Sequence, residues 1–288
     1  MVSENTGLAG YIMRGRKQAA IFATVATLIP MMFWFGAAAI ALVTLRHGLS
    51  QGLAVFVWAI IPAMGWWLGW QDPGALIVLL STLVMASVLR YTVSWQSALV
   101  AGGVVSLVTG LLVPSLMPEL INALMTLADE VFRELAREAQ VEYDDQIQGS
   151  FRSLMIASFA SSFYGMAVGS LFLARSWQSR LFNPGGWQQE FHLMKLSPGL
   201  VAALVLAQVV APILGIDSVL VMMIAVIPAV VCGLALVHGL ISKKKLGGQW
   251  LFGFYFSVVM LFPTFLMLLV FLALLDSLVD FRKRIQAS

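Results

Sequence analysis

Charge is what this chain has least of. Of its 288 residues only 11% are Asp, Glu, Lys or Arg, while 60% are hydrophobic and the mean hydropathy is +0.91. A soluble domain carries about 25% charged residues, so a large water-soluble core is excluded: there is too little charge to cover its surface. Cysteine is nearly absent as well. Cys232 is the single one and sits inside an apolar run, which excludes a disulfide within the chain and a thiolate metal site. The three histidines, His47, His192 and His238, each lie beside a basic or loop segment with no second ligand at i+3 or i+4, so no metal is expected. No carboxylate falls in the middle of any apolar run. Ionisable groups inside a membrane are costly and mark function, and their absence argues against a proton- or sodium-coupled carrier with a carboxylate relay. It argues equally against an intramembrane aspartyl or metalloprotease. No phosphate-binding loop and no GxSxG elbow occurs. The reading is of a protein that is not an enzyme and carries no cofactor.

What the chain does have is long apolar runs. Several reach 18 residues or more, enough to cross a hydrocarbon core about 30 Å thick. The expected fold class is all-α: a polytopic transmembrane bundle of eight to ten membrane segments, some short or broken by proline, with an external amphipathic helical segment. Residues 1–18 form a polar tail ending in Arg14, Arg16 and Lys17, and 19–114 hold the N-terminal transmembrane helices. Their first run, Ala19–Leu45, is interrupted by Pro30 and reads as one long tilted helix or two short ones. Ala37-Ala38-Ala39 resembles a signal-peptidase site, but the run continues to Leu45, so an uncleaved anchor is expected. Trp66, Trp67 and Trp70 cluster at a run end as an interfacial belt does. Residues 150–281 hold the C-terminal transmembrane helices and a loop at 175–198, and 282–288 form a short tail.

Between the two halves lies the one long polar stretch, 115–149. It holds eight of the fourteen acidic residues: Glu119, Asp129, Glu130, Glu134, Glu138, Glu142, Asp144 and Asp145, against only Arg133 and Arg137. The rest of the chain is strongly basic. Basic loops prefer the cytoplasm, so the expectation is both termini inside, the acidic segment outside, and a bacterial inner membrane. The charge split fits a lipid bilayer as partner and not nucleic acid. Leu116, Leu120, Leu124, Leu127, Val131 and Leu135 recur at steps of three and four, giving a helix with one apolar face, open to a partner. Thr126 with Asp129 reads as a local cap.

Three further sets are candidates. Ser153, Ala157, Ser161, Gly165 and Gly169 recur every four residues, a stripe that lets helix backbones approach closely, within the chain or between copies. Trp187 and Phe191 share a face of the 175–198 loop with Met194, an interfacial or partner-binding helix. Uncharged polar groups in the runs suit a neutral or amphipathic ligand between helices, or back-bond to helix carbonyls. They include Thr24, Thr27, Thr44, Ser158, Ser162 and Gln208, with Ser81, Thr82, Ser106, Thr109 and Thr264.

Three segments carry a family likeness: Ala41-Leu42-Val43-Thr44-Leu45-Arg46-His47-Gly48, Phe191–Ser197, and the D-xxx-D-F-R-K-R of Asp276–Arg284. Together they resemble the YybS-like family of bacterial membrane proteins, a domain of unknown function. That family is in turn thought similar to the substrate-binding S components of energy-coupling factor transporters. The resemblance implies a helix bundle that binds a small molecule and docks on a coupling subunit. It implies Ala19-xxx-Ala23, extended by Thr27, as the docking face. The chain is longer than a six-helix S-component core and adds the acidic segment. Two functions follow as expectations: a transport-related, small-molecule-binding membrane component, or a membrane scaffold or assembly factor acting through protein contacts or self-association.

Overall fold

The computed structural model describes residues 7–140 and 145–284; Glu142 and Asp144 of the acidic stretch lie outside them, as do the extreme ends of both tails. Among the described residues every regular element is a helix: α1 (Gly7–Met13), α2 (Arg16–Leu28), α3 (Phe33–His47), α4 (Leu49–Trp70), α5 (Gly74–Thr92), α6 (Trp95–Leu116), α7 (Pro118–Ala139), α8 (Asp145–Phe182), α9 (Gly186–Leu193), α10 (Pro198–Val210), α11 (Ser218–Lys243), α12 (Gly248–Met260), α13 (Phe262–Val279) and α14 (Phe281–Arg284). Six of them, α4, α5, α6, α8, α11 and α13, are long and apolar enough to cross a membrane. α9 with α10 passes the same test only when the pair is counted together across a 59° bend. The chain is thus an all-α, multi-pass membrane bundle.

The expected count of eight to ten segments is reached only by including short helices. α2, α10 and α12 have 13 residues each and α3 has 15, or about 20–22 Å at 1.5 Å per residue. The first apolar run is two helices, broken at 29–32, where Met31 takes a left-handed φ of 63° beside Pro30. α3 then sits at the centre of the bundle. All ten residues from Gly36 to Leu45 are buried, packed on α2, α4, α5 and α8. A short helix buried on every side is possible because small residues line it: a Cβ on Gly36 would fall 2.5 Å from Thr27 Oγ1, and one on Gly52 of α4 only 1.9 Å from Thr44 Oγ1. Gly233 of α11 plays the same part, with the Leu269 carbonyl oxygen 2.4 Å from where its Cβ would stand. Close backbone approach of this kind is how helices associate where lipid removes the hydrophobic drive.

The two ends of the bundle differ. At one end Trp66 Nε1 donates to the Thr27 carbonyl (3.0 Å) and Trp67 Nε1 to the Leu116 carbonyl (2.9 Å), pinning the α2–α3 break and the α6–α7 corner to α4. Asp72 accepts from Gly74 N and so closes the α4–α5 turn. The opposite end carries Arg46, Arg90, Arg175, Lys195, Lys243 and Arg282, close to helix ends. There α9 packs on α8 and α11, and the Trp95, Phe172, Trp187 and Phe191 rings form one cluster of tilted and edge-on contacts with centroids 5.0–5.8 Å apart. Helix α8 spans 38 residues, about 57 Å, nearly twice a hydrocarbon core. Its head therefore stands beyond the span, and α7 folds back beside it.

Candidate functional site

α7 forms because Pro118 opens it at a position where the missing N–H costs nothing and because one face is continuously apolar. The charged face turns outward, with Arg133 on Asp129 at 2.8 Å and Arg137 on Glu134 at 3.3 Å. Such exposed pairs hold little energy; the anchoring is apolar. Ile121 is fully buried and packs with Val113, Met117 and Met155. Further out, Phe132 meets Phe151 edge-on at 5.3 Å. Between these two contacts α7 and α8 stand apart. They leave a groove of about 570 Å³ lined by Leu124, Leu127, Ala128, Val131 and Phe132 on one side and Phe151, Leu154, Met155, Ser158, Phe159 and Ser162 on the other. Ser158 spends its proton on the Leu154 carbonyl of its own helix (2.7 Å), so the Ser162 hydroxyl and the outward lone pairs of Ser158 are the polar features of the walls.

The groove brings together residues that the sequence offered separately. Ser158 and Ser162, candidate ligand contacts, face Leu127 and Val131, candidate partner contacts. Leu120 and Leu135 lie on α7 outside the lining and are exposed. Leu116 ends α6 instead of starting the amphipathic helix, and its carbonyl receives Trp67. Thr126 is no cap: it sits inside α7 and donates to Asn122 O at 3.0 Å.

The other candidate sets are used inside the fold. Thr27 and Thr44 are fully buried and back-bond to Ala23 O and Ile40 O at 2.8 Å. Gln208 ties α10 to the Ser218 carbonyl of α11 at 3.1 Å, and Thr24 is half-buried on α2. None of these four lines the α7–α8 groove. Ala19 and Ala23, the expected docking face, are buried at 1% and 0% exposure where α2 packs on α3 and α4. That face is consumed because α3 needs a small-residue surface to lie against. Trp187 and Phe191, the other partner candidates, pack with Trp95 and Phe172 in an aromatic cluster inside the chain. The four-residue stripe on α8 is only partly buried. Ala157 and Ser161 are buried, Ser153 and Gly165 are intermediate, and Gly169 is exposed with open space beside it. The packed face is rotated to Ala157, Ala160, Tyr164, Ala167, Leu171 and Ala174, where Ser106 Oγ donates to Ala160 O (2.9 Å) and Tyr164 OH to Leu99 O (2.6 Å).

A buried latch closes the basic end. Asp276 is 2% and Arg282 11% exposed at the side chain; they form an ion pair. Asp276 Oδ1 also accepts from Phe281 N (2.9 Å), and Arg282 Nη2 donates to Met194 O (2.7 Å). Beside it Lys195 bonds Asp280 at 2.7 Å, and this bond, with help from Lys283, outweighs burial and holds the Asp280 carboxyl below the usual carboxylate range. The Phe191–Ser197 and Asp276–Arg284 segments are thus two halves of one joint. Phe151, Met155 and Phe159, which form the α8 wall, went unnoticed in the sequence; their i, i+4, i+8 spacing was the available signal. The His192 and His238 rings stand 6.4 Å apart, and among the described residues no third metal-ligating group joins them. Comparison with protein-family models, curated proteins and solved structures gives no match for this chain.

Proposed function

We propose that this protein is a transport-related, small-molecule-binding membrane component whose ligand is amphipathic, its apolar chain lying in the α7–α8 groove. The groove carries the reading. Its volume of about 570 Å³ falls within the usual 300–1,000 Å³ of small-molecule sites. A three-turn helix occupies roughly 1,500 Å³ at a diameter of 10–12 Å, so a slender chain fits and a whole partner helix does not. The walls offer nothing to a charged ligand, which points to an acyl or isoprenoid-like chain with its polar head in water or at the headgroups. Such a chain covers apolar surface at about 0.8 kcal/mol per CH₂.

The setting is the YybS-like resemblance and, through it, the S components of energy-coupling factor transporters. In that setting the basic end faces the cytoplasm, the groove faces outward, and the membrane is a bacterial inner membrane. Docking on a coupling subunit would use a surface other than the buried Ala19–Ala23 face.

The test is native mass spectrometry of the detergent-purified protein titrated with a series of fatty acids and isoprenols. One chain bound per protein, lost at least tenfold in Ala128→Trp, supports the reading; equal binding in wild type and Ala128→Trp overturns it. The exposed Leu120 and Leu135 favour a second reading, a scaffold that holds a protein partner on α7. It expects a stable complex that Leu120→Asp with Leu127→Asp abolishes.

A further inference from the structure

At the basic end, away from the α7–α8 groove, the ends of α3, α5 and α8 enclose a second cavity of about 580 Å³. Its lining includes Arg90, Tyr91, Val93, Arg175, Gln178 and Glu190. Arg175 is spent there: it pairs with Glu190 and bonds Gln178, and Trp95 Nε1 closes on the same carboxylate at 3.2 Å. Their charges cancel. Arg90 is different. One of its amino groups donates to Leu45 O, which fixes the guanidinium over the α3–α4 corner, and among the described residues no carboxylate pairs with it. Arg46, next to the lining Leu45, also lacks a carboxylate and lies over the Phe182 ring at 4.2 Å. A positioned arginine with free donors above a neutralised floor makes an anion site. Arginine's planar fork suits a phosphate in particular. The lip is apolar and open, with Val93 86% and Tyr91 74% exposed, as expected where a glycerol backbone and acyl chains would leave the cavity. Basic pockets between membrane helices on the positively charged side are where acidic lipid headgroups settle.

We infer that this cavity binds a phosphate-bearing anion through Arg90, with Tyr91 and Gln178 as further donors, the source being an acidic phospholipid headgroup or free phosphate. The inference is independent of the amphiphile proposed for the groove.

The experiment uses delipidated full-length protein in neutral detergent. Phosphatidylglycerol, phosphatidylcholine and inorganic phosphate are each titrated in, with native mass spectrometry and thermal unfolding as readouts. Stoichiometric phosphatidylglycerol, held at least tenfold more tightly than phosphatidylcholine, is expected. It should be lost at least tenfold in Arg90→Gln and in Val93→Glu, and kept in Lys244→Gln, a basic-end charge outside the cavity. Val93→Glu puts a repelling carboxylate on an exposed side chain at the lip, so it tests the site with Arg90 itself in place. Stabilisation by inorganic phosphate alone, with the same variant pattern, supports the site with free phosphate as its source. Absence of selective binding, or binding that both variants leave intact, overturns the inference; Ala128→Trp should leave it unchanged.

Discussion

Removing the arginine of the Asp276–Arg282 latch should cost far more than removing both partners. In wild type the Asp276 carboxylate is 2% exposed, and its two oxygens are met by Arg282 and by the Phe281 N–H. Arg282→Met leaves the carboxylate buried with the backbone bond alone. Breaking a buried pair from one side costs about 3–5 kcal/mol. The surviving N–H bond places this case near the lower bound, about 3 kcal/mol, or roughly a hundredfold in the folding equilibrium. Arg282→Met also strips the Met194 carbonyl of its donor, so α9 and the 194–197 link should loosen with α13. In Asp276→Asn with Arg282→Met the buried charge is gone, the Asn oxygen still accepts from Phe281 N, and the loss should fall to about 1 kcal/mol. The double variant thus loses about 2 kcal/mol less than the arginine variant alone, and the coupling exceeds that difference by whatever Asp276→Asn costs by itself. The assay is unfolding by SDS in mixed micelles, followed through tryptophan fluorescence, for wild type, both single variants and the double. A single arginine variant that loses less than 1 kcal/mol, or a double variant as unstable as the sum of its singles, would refute the reasoning.

Other outcomes follow from the same geometry. Gly233→Ala should separate α11 from α13, because its Cβ would stand 2.4 Å from the Leu269 carbonyl oxygen; a loss of about 2 kcal/mol is expected from overpacking, whereas Gly169→Ala, beside open space, should be neutral in the same unfolding assay. Trp67→Phe should free the α6–α7 corner by deleting the bond to Leu116 O, at about 1 kcal/mol, with faster hydrogen exchange confined to 114–121. The Asp280 carboxyl is depressed mainly by Lys195. Its contribution is therefore present above the unfolded value of about 3.9 and fades as pH falls through the lower folded value. Lys195→Gln should remove most of that acid sensitivity in a pH series of thermal melts, with Lys283 keeping the remainder.

Much of the architecture is legible in the residues. Pro30 announces the broken first run, Asp72-Pro73-Gly74 the α4–α5 turn, and the leucine spacing after Pro118 an amphipathic helix. What composition could not give is which small-residue face packs. The Ser153–Gly169 stripe and the true Ala157–Ala174 face lie side by side on α8, and only the positions of Ser106 and Leu99 on a neighbouring helix choose between them. Likewise Ala19 and Ala23 look like an outward face until α3, itself too short to span, folds back onto them. The groove was half visible. Its α7 wall shows in the 3–4 spacing, but its α8 wall is hidden because Phe151 and Met155 merge into an apolar run that reads as membrane throughout.

The most direct measurement is photolabelling of the purified protein with a diazirine-bearing fatty acid, mapped by mass spectrometry. Labels concentrated on 124–132 and 151–162, and lost from both stretches in Ala128→Trp, are predicted. Labels spread over the exposed faces of α4, α10 and α12, with those two stretches bare or indifferent to Ala128→Trp, would contradict it.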